Sequence, residues 1–162
     1  MKVEGKVLIL GCGNALLGDD GFGPAVAAQC RRFRLGGSIL ALDVGTQLSP
    51  LTMDLLYGEE KPIGLVILDA ADGGRSPGDV FRVSLDDLAS RTTDTFGLHD
   101  FPSVSVFREL ETSKGTKTEI IACQPAMGMD LVRIGLSKQV REAIPKAARM
   151  AVTRARLMAR AK

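Results

Sequence analysis

A chain of 162 residues, 45% hydrophobic and 25% charged, is sized for one globular domain over residues 1–162, with a core large enough to fold without staples. Three widely spaced cysteines, Cys12, Cys30 and Cys123, contain no C-x-x-C pair, which argues against a disulfide framework or a thiolate zinc cage and predicts a reducing compartment, the cytoplasm. Net charge is +2, with eight basic residues against Glu142 alone in residues 137–162; with 4% aromatics, no nucleic-acid motif, no signal-peptide core and no apolar run of membrane length, this predicts a solvated basic helix and neither a nucleic-acid nor a membrane partner.

In chain order, the apolar run 7–10 reads as a buried strand, and 22–33 as a helix with Pro24 in its first turn. Residues 39–44 form a second strand. Ser49 and Pro50 offer an N-cap and first turn for a short helix ending near Gly58. Residues 65–68 are apolar enough for a strand covered on both faces, and 79–83, after the turn at Ser76-Pro77-Gly78, suit an edge strand. Residues 120–123 form another strand. Ser137 opens the last helix, whose inner side carries Val140, Ile144, Ala147, Ala148, Ala151, Val152 and Ala155, with Pro145 expected to kink or restart it. This alternation predicts an α/β fold: three layers, with a mostly parallel twisted sheet between helices on both faces.

In such sheets ligands bind beyond the carboxyl ends of the strands, where the winding reverses. The stretch "GCGNALLGDDGFGP", following the first strand, looks at first like a phosphate loop. It lacks G-x-G-x-x-G spacing and Gly-Lys-Ser/Thr, and Asp19 and Asp20 stand where a helix N-terminus would otherwise attract an anion. A nucleotide-binding module is therefore the weaker reading. Asp19 is expected to cap the following helix, leaving Asp20 free to face the rim. A carboxylate after the third strand, Asp69 or Asp72, and His99, the single histidine, complete an oxygen, oxygen, nitrogen set that suits zinc, copper, iron or nickel. By composition alone, a lone histidine is more often a surface or core residue than a ligand. No G-x-S-x-G motif appears, and Cys12 reads as a small buried residue in a tight turn.

The blocks "LILGCGNALLGDDGFGP", "LDVGTQLSP", "VILDAADGGRSPGDVFRV", "GLHDFPS" and "IIACQPAMGMDLVRIGLSKQVREAIP" resemble, in order and over nearly the whole chain, the [NiFe]-hydrogenase maturation proteases. The "HDFPS" variant is similar to the branch serving methanogen hydrogenases that reduce a deazaflavin coenzyme. The resemblance implies an endopeptidase that removes a short C-terminal extension from the hydrogenase large-subunit precursor after nickel insertion. It also implies that Asp20, Asp69 and His99 bind metal, with Asp20 and Asp69 catalytic, and that Asn14, Gly45 and Thr46 belong to the substrate cleft. Many members have Glu at the position of Asp20 and an acid at that of Ala126.

Three protein ligands of this kind would hold metal loosely, so the nickel is expected to arrive on the substrate. Two routes to cleavage are open: polarisation of the scissile carbonyl by the metal, or a carboxylate acting as general base on water. A non-proteolytic nickel chaperone would use the same ligands.

Overall fold

The structure, a computed structural model, describes residues 2–90, 102, 104–126 and 132–161. Strands β1 (Val7–Cys12) and β3 (Gly64–Ala70) are buried along their whole length. Continuous apolar sequence of that kind belongs in the middle of a parallel sheet, with helices on both sides. β2 (Ile39–Gly45) and β4 (Val80–Val83) are only partly buried and form the edges, while β5 (Lys117–Cys123) enters exposed and ends in the core. The order is β2-β1-β3-β5-β4, parallel throughout except for β4, which pairs antiparallel with β5. The mostly parallel α/β sheet expected from the sequence is thus present, with one antiparallel edge.

Two helices, α1 (Phe22–Cys30) and α5 (Lys138–Arg160), cover one face. Their core is rich in small residues, with Ala27, Ala147, Ala148, Ala151 and Ala155 against Val7, Ile9, Val66 and Leu68. The opposite face is covered by α2 (Leu48–Tyr57), α3 (Leu85–Ser90) and α4 (Val104–Glu109), the last running into a π-helical turn, Leu110–Lys114. Larger side chains fill this side: Leu8, Leu10, Leu65 and Ile67 meet Leu55, Leu88, Phe107 and Leu110. Alternation along β1 and β3 divides the residues between the two cores.

Several boundaries differ from the sequence reading. α1 ends at Cys30, followed by a looser turn in which the Phe33 N–H donates to the Cys30 carbonyl. β3 runs on through Asp69, because pairing with β5 continues to Ala70 and Cys123. Ser49 does not cap α2: the helix starts at Leu48, after Gln47, and Ser49 lies in its first turn. Pro145 neither breaks nor restarts α5, which is one helix from a Ser137 cap onward. Arg141 and Pro145 are both exposed, so the carbonyl that loses its donor faces water. On the inner side of α5, Ile144 is half-buried and Ala143 takes the buried place. α3, which the sequence reading missed, opens on a capping box: Asp87 N–H donates to Ser84 Oγ while Asp87 accepts from Ser84 N–H.

α1 lies unusually close to the sheet. A Cβ at Gly23 would sit 2.2 Å from the Cys12 carbonyl oxygen and 2.3 Å from that of Leu68, and one at Gly11 would sit 2.3 Å from the Gly23 carbonyl oxygen. Those neighbours are backbone and cannot step aside. Gly23→Ala should therefore lift α1 off β1 and β3, costing about 3 kcal/mol in urea unfolding. The buried thiols give a second expectation. Burial pushes Cys30 and Cys123 up from the ordinary value of 9.0 to about 12, with the carboxylates of Asp19 and Asp79 adding to the effect at Cys123. A raised native value favours the protonated thiol, so this stability is complete below pH 9.0 and is lost as pH climbs toward 12. Urea midpoints should fall above pH 9.0, less steeply in Cys30→Ala.

Candidate active site

β1 has β2 on one side and β3 on the other, so the winding reverses between β1 and β3. The rim beyond their carboxyl ends is where a ligand crevice forms in this architecture. On β1 it is built from the turn of residues 13–21, which ends in a 3₁₀ helix (Gly18–Gly21) feeding α1. Gly13, at φ +116°, turns the chain so sharply that a Cβ there would lie 1.9 Å from the Asp20 carbonyl oxygen. No L side chain fits.

Hydrogen-bond accounting shows what the turn can bind. Gly13 N–H donates to the Gly45 carbonyl (3.0 Å), Leu17 N–H to the Asn14 carbonyl (3.0 Å) and Gly18 N–H to the Arg133 carbonyl (2.7 Å). Asn14 N–H donates to Asp20 Oδ2 (2.6 Å), and Leu16 N–H to Asn14 Oδ1 (2.9 Å). These amides, which a phosphate loop would offer to an anion, are already bound within the protein, one of them to a carboxylate. The turn is not a nucleotide cradle. Asp20 is oriented by the Asn14 amide, where the sequence reading had it free, and the Asn14 side-chain oxygen closes the loop.

Asp19 is not the helix cap expected of it. Its carboxylate, 5% exposed, accepts from Ala126 N–H (2.8 Å) and from Ser137 N–H (2.7 Å). The acid thus ties the first turn to the exit of β5 and to the start of α5. α1 itself begins after Gly21 without a side-chain cap. A carboxylate among hydrophobic residues seeks the strongest donors it can reach, and here those are two loop amides rather than the helix end.

Asp69, 7% exposed, stands one residue beyond the Leu68–Gly11 pair, and its Oδ1 accepts from Ala70 N–H (2.9 Å). By alternation it shares a face with Leu65 and Ile67, the face on which α3 and α4 pack. His99 lies in the connection between those two helices, outside the described residues. Among the described residues, no group of three His, Cys, Asp or Glu side chains is placed to hold a metal. Gly45, at φ +51°, ends β2 and links it to Gly13; Thr46 is exposed in the turn that follows.

The thiol of Cys12 records how these groups converge. Burial raises it well above the ordinary thiol value, and the carboxylates of Asp69, Asp43 and Asp20 push it further in the same direction. It stays protonated and does not act as a nucleophile. Asp43 is a residue the sequence reading missed; it sits near the end of β2, where its Oδ1 accepts from Gly45 N–H (3.0 Å), and its place close to the carboxyl end of a strand was the available signal. Gln124 was also missed. Its buried amide accepts from Gly73 N–H (2.8 Å) and Arg75 N–H (3.1 Å) and donates to Asp72 Oδ1 (3.1 Å), shaping the loop that leaves Asp69. Those contacts, with the Gly74 amide first, hold the Asp72 carboxyl below its usual range.

The two adjacent acids should separate on substitution. Asp19→Ala strands two buried amides and should cost about 3 kcal/mol in urea unfolding, whereas Asp20→Ala should cost about 1 kcal/mol. Equal losses would contradict the division of roles.

Comparison with known proteins places this architecture. Residues 24–154 match the family model for HycI, hydrogenase maturation protease. The chain is 32% identical over 142 residues to a Methanocaldococcus jannaschii protein assigned to the hydrogenase maturation proteases, spanning 87% of this chain and 90% of that one. It is 26% identical over 155 residues to coenzyme F420 hydrogenase subunit delta of Methanothermobacter thermautotrophicus, across 93% and 94% of the two chains. Its fold matches that of the hydrogenase maturating endopeptidase HybD from Escherichia coli with a TM-score of 0.75, at 21% identity, over 94% of this chain and 93% of that one. Family model, relative and fold agree over most of the length: the chain belongs to the hydrogenase maturation proteases and is a peptidase.

Proposed function

We propose that this protease removes the C-terminal extension of a [NiFe]-hydrogenase large-subunit precursor once nickel has been inserted, and that it recognises the nickel on that substrate. The observation that carries this reading is the placement of Asp20 and Asp69 at the carboxyl ends of the adjacent strands β1 and β3, where the winding reverses. Two carboxylates are too few to retain nickel against thiolate-rich sites, and with the imidazole of His99 they suit a metal already held by another protein. The precursor's thiolates keep the ion, and the three side chains dock on its open positions. Nickel insertion then licenses the cut.

For the cleavage, one carboxylate of the pair takes the proton from an attacking water, and the substrate's nickel draws electron density from the scissile carbonyl. Asp20 is held for this by the Asn14 amide and Asp69 by the Ala70 amide. The "HDFPS" loop and the likeness to a coenzyme F420 hydrogenase subunit support a deazaflavin-reducing hydrogenase as the cognate enzyme. With no described helix long and apolar enough to cross a membrane, processing is assigned to the cytoplasm, where the precursor matures.

Incubating the purified protein with nickel-loaded and nickel-free precursor tests the reading. Only the loaded form should shorten. His99→Ala and Asp69→Asn should each slow processing at least about 100-fold while the thermal midpoint of His99→Ala stays unchanged. Equal cleavage of the nickel-free precursor would exclude recognition through the metal.

A further inference from the structure

Beside the turn that carries Asp20 lies a short segment, residues 132–134, joined to it by one bridge. Arg133 forms a parallel bridge with Leu17: its N–H donates to the Leu16 carbonyl (2.9 Å), and its carbonyl accepts from Gly18 N–H (2.7 Å). Both main-chain groups of Arg133 therefore point toward residues 16–18. In an extended chain the neighbouring residues present theirs to the opposite side. Among the described residues the N–H and C=O groups of Val132 and Ile134 have no hydrogen-bond partner, and they form an open edge.

The side chains point to a ligand as well. Pairing of Leu17 with Arg133 sets Leu16 beside Val132, with Ile134 two residues further on, in a ribbon joined at one bridge. Leu16, Val132 and Ile134 are 59%, 84% and 86% exposed. Three large aliphatic side chains held together in water, with an unpaired main-chain edge alongside, mark an interaction surface rather than a solvated loop. The ribbon is also firmly seated. Asp19 fixes Ala126 and Ser137 on either side of it, and Asp20 follows two residues after Gly18.

We propose that the substrate segment bearing the scissile bond adds as a further strand along the outer edge of residues 132–134, with apolar side chains beside Val132 and Ile134. A peptidase must hold its substrate extended, and an open strand edge meets an extended polypeptide through main-chain hydrogen bonds, while flanking side chains choose its residues. The edge belongs to the segment bridged to the turn that presents Asp20, so a strand added there lies across residues 132–134 from that turn, at the same rim. The inference rests on the peptidase reading above and supplies what that reading lacks, a surface that grips the polypeptide rather than the metal.

The test uses the full-length protein, the nickel-loaded large-subunit precursor from the same genome, and a synthetic peptide spanning the cleavage site of that precursor. Val132→Ser/Ile134→Ser should raise KM for precursor about tenfold with kcat within about twofold, whereas Leu157→Ser, on a remote part of α5, should leave both unchanged. The peptide should compete with precursor, and moving a single N-methyl group along its backbone should weaken competition at every second residue, as pairing along one edge requires. If wild type cuts the precursor but the double variant keeps its KM, or the N-methyl scan shows no period of two, the docking surface is wrong and the peptidase reading stands. If wild type leaves the loaded precursor uncut, both fall together.

Discussion

The arrangement of this molecule depends on one buried carboxylate. Asp19 sits in the first turn, 107 residues before Ala126 and 118 before Ser137, and binds the amides of both. Packing alone brings α5 onto the sheet, but packing of small aliphatic residues is tolerant of sliding. Two directional, charge-assisted hydrogen bonds are not. They set where the chain leaves β5 and where α5 begins, and so they fix the rim against which residues 16–18 and 132–134 pair. The neighbouring acid, Asp20, is thereby supported from behind. Adjacent aspartates divide the work: one holds the frame and the other faces the crevice.

The same turn shows how a glycine-rich loop can be turned from anion binding to the opposite purpose. Close approach of α1 through Gly11 and Gly23 is the feature that dinucleotide-binding folds share. Here, however, the amides are closed by Gly45, Asn14, Asp20 and Arg133, and the rim gathers negative charge from Asp20, Asp43 and Asp69. A phosphate would meet mostly occupied amides and three carboxylates. A cation borne by another protein meets the reverse.

Much of this was legible in the sequence because the signals were local. Continuous apolar runs located β1 and β3, a Ser at the helix start located α5, and strand and helix alternation gave the layers and therefore the rim. The placement of Asp20 and Asp69 at the ends of neighbouring strands followed from that topology. What was not legible depended on distant partners. Asp19 looked like a cap because its neighbours form a helix, yet its hydrogen bonds go to residues more than 100 positions away. Ser49 and Pro50 imitate a helix start that Gln47 occupies. Pro145 is a breaker by rule, but its freed carbonyl lies on the wet side of a helix held by eight buried residues, and the rule yields. α4 is six residues long, too short for periodicity to declare itself. Gln124 acts entirely through loop amides fixed by the tertiary structure.

The closed hydrogen bonding of the first turn has a thermodynamic consequence. A loop that must order itself on meeting a partner loses conformational entropy at that moment, and the loss is subtracted from affinity. In this turn the order is already present in the isolated protein, set during folding by bonds that docking does not disturb. Under the proposed reading of a substrate-borne metal, such rigidity leaves more of the free energy of encounter to report on the metal.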